Sequence, residues 1–281
     1  MTQVLSFIAQ PLGVVINFLY GVVDNYGLAI VLFTILVKLV LLPLSIKQFN
    51  SMQDMSKLSP RLKELQEKHK DDSDKLKEET AKLYQELGVN PMGGCLPLII
   101  QMPILFALYR VISQPFTYIL GLSSHSIDSI RTALELGPNT SEIAMVHYID
   151  EALKLNAGFL SNLGVEGYRS LHFGFLGLDL SDVPSLGGHD FLFLIPVLAA
   201  LATLASIAIP ELIKRRLNPD KPEENRKILT GMNLFSPLLS GVFTFMFPAG
   251  VGLYWITSAS FQAIQQSVLL ILSSKKKSAE S

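Results

Sequence analysis

Apolar residues gather in five long blocks, at 28–44, 96–116, 191–210, 234–247 and 251–272, and the charges lie almost wholly between them. A membrane span needs about 20 predominantly apolar residues, with about 17 as a lower limit. The blocks therefore predict transmembrane helices over 25–45, 91–116, 191–210, 234–247 and 250–272. Pro248-Ala-Gly250 separates the last two. One continuous helix there would be overlong and broken at Pro248, so a tight turn between two antiparallel spans is expected. Residues 1–24 are apolar as well. At helical spacing, however, Gln3, Ser6, Gln10, Gly13, Asn17, Gly21 and Asp24 fall within an arc of about 80°. That narrow stripe suits an amphipathic helix lying at the membrane interface and interrupted near Pro11. It would equally suit a span whose polar face meets a bundle; the interfacial helix is the expectation adopted.

Residues 46–90 are strongly charged. Ser59-Pro60 reads as an N-cap followed by proline at the first helical position. Leu62, Leu65 and His69 continue at helical spacing, 70–74 form a polar tip, and Leu76, Leu83 and Leu87 mark a second helix ending at Gly88. The pattern is an antiparallel helical hairpin, either a solvated connector or a docking arm for a partner. The connection 117–190 predicts helices at 126–136 and 141–155, the second with Ile143, Val146, Ile149 and Leu153 on one face. Such a face needs something to fold onto.

Charge orients the spans. Residues 46–95 hold nine Lys and Arg, 211–233 hold six and 275–277 hold three, whereas 117–190 hold three against nine acids. The positive-inside rule puts the basic connections and the short basic tail 273–281 in the cytoplasm, and the start of the first span outside. Net charge is −1, which gives no electrostatic case for nucleic acid. Cys95 is the single cysteine, and His69, His125, His147, His172 and His189 have no ligand spacing, so no metal site is expected. Phosphate-loop, zinc-helix and nucleophile-elbow motifs are absent. No cofactor and no catalytic centre are predicted.

What remains is Lys38, the one formal charge well inside a predicted span. A lysine at a helix centre costs about 2.5–3.5 kcal/mol on insertion scales. It lies six residues from Leu44, about 9 Å of rise, so it could snorkel to the surface. Alternatively it faces a water-filled cavity between helices. Gln101 and Tyr109 on the second span and Ser206 on the third could line such a cavity, as could Tyr254, Trp255, Ser258 and Gln262 on the fifth. Tyr254, Ser258 and Gln262 recur every four residues and share one face. Singly, each reads as a packing or interfacial group; jointly with an unpaired lysine they favour a cavity.

Two stretches then carry a resemblance: Asn90-Pro-Met-Gly-Gly-Cys-Leu-Pro-Leu-Ile-Ile-Gln-Met-Pro-Ile-Leu-Phe-Ala-Leu-Tyr109 and Phe247-Pro-Ala-Gly-Val-Gly-Leu-Tyr-Trp-Ile-Thr-Ser-Ala-Ser-Phe-Gln262. With them the chain resembles the YidC/Oxa/Alb family of membrane protein insertases, in the short form without the large periplasmic domain. The resemblance implies an all-α membrane protein of a bacterial plasma membrane, with five spans, an interfacial N-terminal helix and a cytoplasmic hairpin. It implies a chaperone-like insertase whose groove opens to cytoplasm and lipid. A positive residue in the first core span, matched here by Lys38, would attract acidic extracytoplasmic segments of the substrate. That residue is usually arginine in the family. Nascent membrane proteins, membrane lipid, the Sec translocon and the ribosome or signal-recognition components are the implied partners, with no direct contact to nucleic acid. The alternatives are a small-molecule transporter or channel, which would need coupling acids or a through-pore, and an assembly factor that chaperones helices without inserting them.

Overall fold

The computed structural model describes residues 2–88, 96–185, 191–217 and 231–280. Part of the first resemblance block (90–95), His189 and most of the basic connection 211–233 (218–230) lie outside the described residues. The chain divides into two compact units, 1–38 with 103–281, and 39–102.

The larger unit opens with α1 (Thr2–Val23), which Pro11 does not interrupt. One lost backbone bond does not end a helix whose flanking turns are held from outside. Its polar stripe supplies those contacts. Arg110 Nη1 donates to Ser6 Oγ at 2.6 Å, the Tyr118 hydroxyl bonds the same oxygen at 3.3 Å, and Arg169 Nη2 donates to Asn17 Oδ1 at 3.1 Å. An apolar face of Phe7, Val14, Phe18 and Val22 is exposed. At Gly13 an added Cβ would sit 2.1 Å from the carbonyl oxygen of Tyr118. Backbone cannot yield as a side chain does, so Gly13→Ala is expected to cost about 1–3 kcal/mol of native stability. A thermal or denaturant melt of the purified chain checks this.

Asp24, at φ 47, ends α1, and Asn25 Oδ1 caps the next helix by accepting from Leu28 N at 2.9 Å. That helix, α2 (Tyr26–Val40), stops short of the expected 25–45 span. A turn at Leu41 precedes α3 (Leu42–Lys68), which carries Pro43 in its first turn. Proline lacks the N–H a continuing helix needs and fits a first turn, so the apolar block is two helices.

After α5 (Leu96–Ser113) come α6 (Pro115–Tyr118), α7 (Ser124–Ala133), α8 (Glu142–Leu155) and α9 (Phe159–Asn162). The caps of α7 and α8 are Ser123 and Ser141, accepting from Ser126 N and Ala144 N. Ile143, Met145, Val146 and Ile149 of α8 are buried, so the apolar face found its partner inside this connection. Glu142 ties α8 to α6 through Thr117 N and Oγ1. Burial raises the Glu142 carboxyl above its usual range, and the two bonds to Thr117 oppose that shift.

A ribbon of β1 (Gly174–Phe175) and β2 (Leu178–Asp179) was not foreseen. Its turn residues, Leu176 and Gly177, both have positive φ, as a two-residue hairpin with a primed turn requires. The ribbon covers the α1–α2 junction. Phe173 stacks edge-on against Tyr26 at 4.5 Å, Arg169 lies over the Tyr20 ring at 4.6 Å, and Phe175 packs on Gly27.

A 3-10 turn (Phe191–Phe193) leads into α10 (Leu194–Leu217), followed by α11 (Gly231–Thr244) and α12 (Ala249–Glu280). These three pack on one another through small residues. A Cβ at Gly252 would meet Ile195 Cγ2 at 2.3 Å, and one at Gly241 would meet Ala200 Cβ at 3.4 Å. The turn expected at 248–250 occupies 245–248. Carbonyls of the 117–190 connection satisfy the first amides of α12: Ala249 N donates to Asp182 O at 2.8 Å and Gly250 N to Leu180 O at 2.9 Å.

The smaller unit is α3, α4 (Ser73–Glu86) and the first turns of α5. α3 and α4 pack together across a short polar turn, with Asp72 capping α4 by accepting from Lys75 N at 3.0 Å. Leu58 and Leu83 are buried, and Gly88, at φ 62, follows α4. Ser59-Pro60 is not a helix start, because α3 runs through it. Its first arm was already propagating from Leu42, and continuation is cheaper than a fresh nucleus.

Two described helices, Leu5–Val23 and Phe191–Leu217, are long and apolar enough to cross a membrane by themselves. Tyr26–Val40 with Leu42–Met55 pass only as a pair, and Gln101–Ser113 and Phe235–Thr244 are apolar but shorter. α12 has the length, but Gln262, Gln265 and Gln266 dilute its hydropathy. The protein is predominantly helical with apolar candidate spans.

Candidate functional site

Lys38 sits in the last turn of α2. The terminal carbonyls there carry partial negative charge and favour a cation by about 0.3–1 kcal/mol. The lysine is half-buried, and among the described residues it has neither a hydrogen-bond nor an ion-pair partner. Its helix is graded along its length. Tyr26, Gly27, Ala29, Ile30, Phe33 and Thr34 are buried, Lys38 is half-buried, and Leu39 and Val40 are exposed.

α12 shows the same gradient in the same chain direction. Tyr254 is 1% exposed and Ser258 7%, whereas Gln262 is exposed. The four-residue stripe is therefore one face that begins in the core and ends at the surface. The two buried ends are neighbours: a Cβ at Gly250 would touch Ile30 Cδ1 at 3.3 Å and Ile112 Cδ1 at 3.5 Å. α2, α5 and α12 thus converge beneath the 117–190 connection.

Trp255 and Ser206 are brought together by a residue the sequence reading missed. Trp255 Nε1 donates to Thr203 Oγ1 at 3.2 Å, Thr203 Oγ1 donates to Ala199 O at 2.8 Å, and Ser206 Oγ donates to Thr203 O at 2.8 Å. Thr203 precedes Ser206 by one helical step on the same face, which was the available signal. Ser206 is buried with its hydroxyl turned to its own helix backbone, an arrangement that serves packing between α10 and α12. Rings extend the contact: Trp255 lies 5.6 Å from Phe243, Phe243 4.4 Å from Phe247, and Phe247 4.9 Å from Tyr109. Tyr109 also lines a small pocket with Arg110, Arg131 and Glu142, on the side of the 117–190 connection. Gln101 is half-buried and belongs to the smaller unit. Arg110 bonds Ser6 of α1.

This arrangement can hold a polar or charged segment by electrostatics and hydrogen bonds near one end of a helical packet whose other end is filled.

Residues 18–277 match the family model described as 60Kd inner membrane protein. A membrane protein insertase YidC of Caldanaerobacter subterraneus subsp. tengcongensis is 31% identical over 266 residues, 95% of this chain and 95% of that protein. One from Clostridium perfringens is 31% identical over 263 residues, 93% of this chain and 85% of that protein. One from Nitratidesulfovibrio vulgaris is 51% identical over 107 residues, 38% of this chain and a fifth (20%) of that protein. The chain thus spans a small part of some longer curated relatives and nearly the full length of others.

Proposed function

The chain belongs to the family of 60Kd inner membrane proteins, the YidC/Oxa/Alb insertases, and we propose that it inserts membrane proteins by an electrostatic hand-over at Lys38. In this reading five spans cross a bacterial plasma membrane, with the 117–190 connection outside and the α3–α4 hairpin and the tail in the cytoplasm. A groove open to cytoplasm and lipid runs past Lys38 and Gln262. An acidic segment of the substrate enters it, is held by the Lys38 ammonium partway across, and moves outward as the adjoining apolar helix partitions into lipid. Residues Tyr109, Ser206, Tyr254, Trp255, Ser258 and Gln262 line or support that path.

The parallel burial gradient of α2 and α12 carries the reading. Both helices are filled where the 117–190 connection covers them and open where Lys38 and Gln262 sit. A passage sealed at one end and polar at the other suits a segment that enters from one side and leaves sideways into lipid. The partners of α1 support its placement at the outer interface. From Ser6 to Tyr20, about 21 Å of helix, it bonds to Arg110, Tyr118, Arg169 and His172, all in or beside the outer connection. A spanning helix would find partners at both depths. The hairpin would recruit substrate, and the translocon and the ribosome or signal-recognition components would deliver it.

A depletion-and-rescue assay tests the function. In bacteria depleted of their own insertase of this family, expression of this chain restores insertion of a single-span substrate with an acidic outer tail. Failure to rescue at matched abundance, together with solute flux through proteoliposomes of the purified chain, would replace the reading with that of a transporter.

A further inference from the structure

We propose that His147, Asp179 and Asp182 form a binding site for a divalent transition-metal ion, of the zinc class, that fastens the 117–190 connection over the start of α12. His147 projects from the exposed face of α8, while its neighbours Val146 and Ile149 anchor that helix in the core. Its Nε2 lies 3.9 Å from Asp179 Oδ2 and 3.9 Å from Asp182 Oδ1. All three ligating atoms fall within 4.8 Å of one another. Bonds of about 2.0–2.2 Å to a shared ion need these atoms only about an ångström closer. The side chains are 55%, 37% and 51% exposed, which leaves them room to turn inward.

The carboxylate is already oriented for the task. Asp179 Oδ1 accepts from Ser181 N at 2.9 Å and from Ser181 Oγ at 2.5 Å, which leaves Oδ2 toward the imidazole. Such outer contacts fix the direction of a metal ligand. One imidazole nitrogen with two carboxylates suits zinc and its neighbours and is a poor match for calcium or magnesium, which prefer all-oxygen shells. Three protein ligands leave a fourth position for water.

The consequence lies in what the loop touches. Between Asp179 and Asp182 the chain offers the carbonyls of Leu180 and Asp182 to the first amides of α12. An ion joining α8 to this segment would hold the cap on the helix that five residues later presents Tyr254 and Trp255. Sequence spacing could not suggest it, because His147 is 32 residues from the nearer aspartate.

The test is independent of insertion. The full chain, purified in detergent with chelator and then freed of it, is titrated with Co2+ and Zn2+. One equivalent of Co2+ is expected to give visible absorption that Zn2+ displaces, and Zn2+ is expected to raise the melting temperature. His147→Ala and Asp182→Asn, both at exposed positions, each weaken binding at least as much as loss of an outer-shell partner does, about 10–100-fold, while circular dichroism stays unchanged. Binding of equal strength in His147→Ala, or no saturable binding by the wild-type chain, would overturn the site.

Discussion

Lys38→Ala abolishes insertion of single-span substrates with acidic outer tails, and Lys38→Arg retains it. An ammonium and a carboxylate about 4 Å apart attract by about 4 kcal/mol at an effective dielectric near 20. A difference of 1.4 kcal/mol is a factor of ten in rate, so loss of even half of that attraction slows capture by more than tenfold. Arginine keeps the charge and adds a planar fork, so it should serve at least as well. The readout is protease protection of the translocated tail, at matched abundance of the two variants. Normal insertion by Lys38→Ala would remove the electrostatic role.

Gly252→Leu disables the protein by a different route. A Cβ at that position already meets Ile195 Cγ2 at 2.3 Å, and isoleucine is stiff at χ1. α10 and α12 must then separate, which stretches the Trp255–Thr203 bond and the ring contacts to Phe243. Overpacking of this kind costs about 1–3 kcal/mol, occasionally more. The variant should melt at a lower temperature and insert all substrates poorly, whatever the charge of their tails. That indifference to tail charge separates it from Lys38→Ala. An unchanged melt would mean that the two helices do not approach as closely as described.

The sequence made some of this legible and left some of it hidden, for physical reasons. Local signals succeeded: Pro248 marked the turn before α12, Gly88 marked the end of α4, and apolar residues at helical spacing placed α8 with its buried Ile143, Val146 and Ile149. The break at Leu41 was missed because apolar residues continue on both sides, and hydropathy does not register a missing N–H. Ser59-Pro60 misled in the opposite sense, since a helix already under way tolerates a proline that would otherwise start one. The polar stripe of α1 read as that of an interfacial helix, but its partners were not legible: Ser6, Gly13 and Asn17 face Arg110, Tyr118 and Arg169. Their partners are about 100 to 150 positions away, beyond any periodicity. Thr203 and the His147–Asp179–Asp182 cluster were hidden for the same reason: their significance arises only when the chain is folded.

The central claim is that charge at position 38 meets charge on the substrate. It is tested most directly by varying both in one series: substrates with zero, one, two and three acids in the outer tail, inserted by the wild-type chain and by Lys38→Ala. The account predicts that insertion by the wild type rises with each acid and that the rise vanishes in the variant. An equal rise in both chains would contradict it.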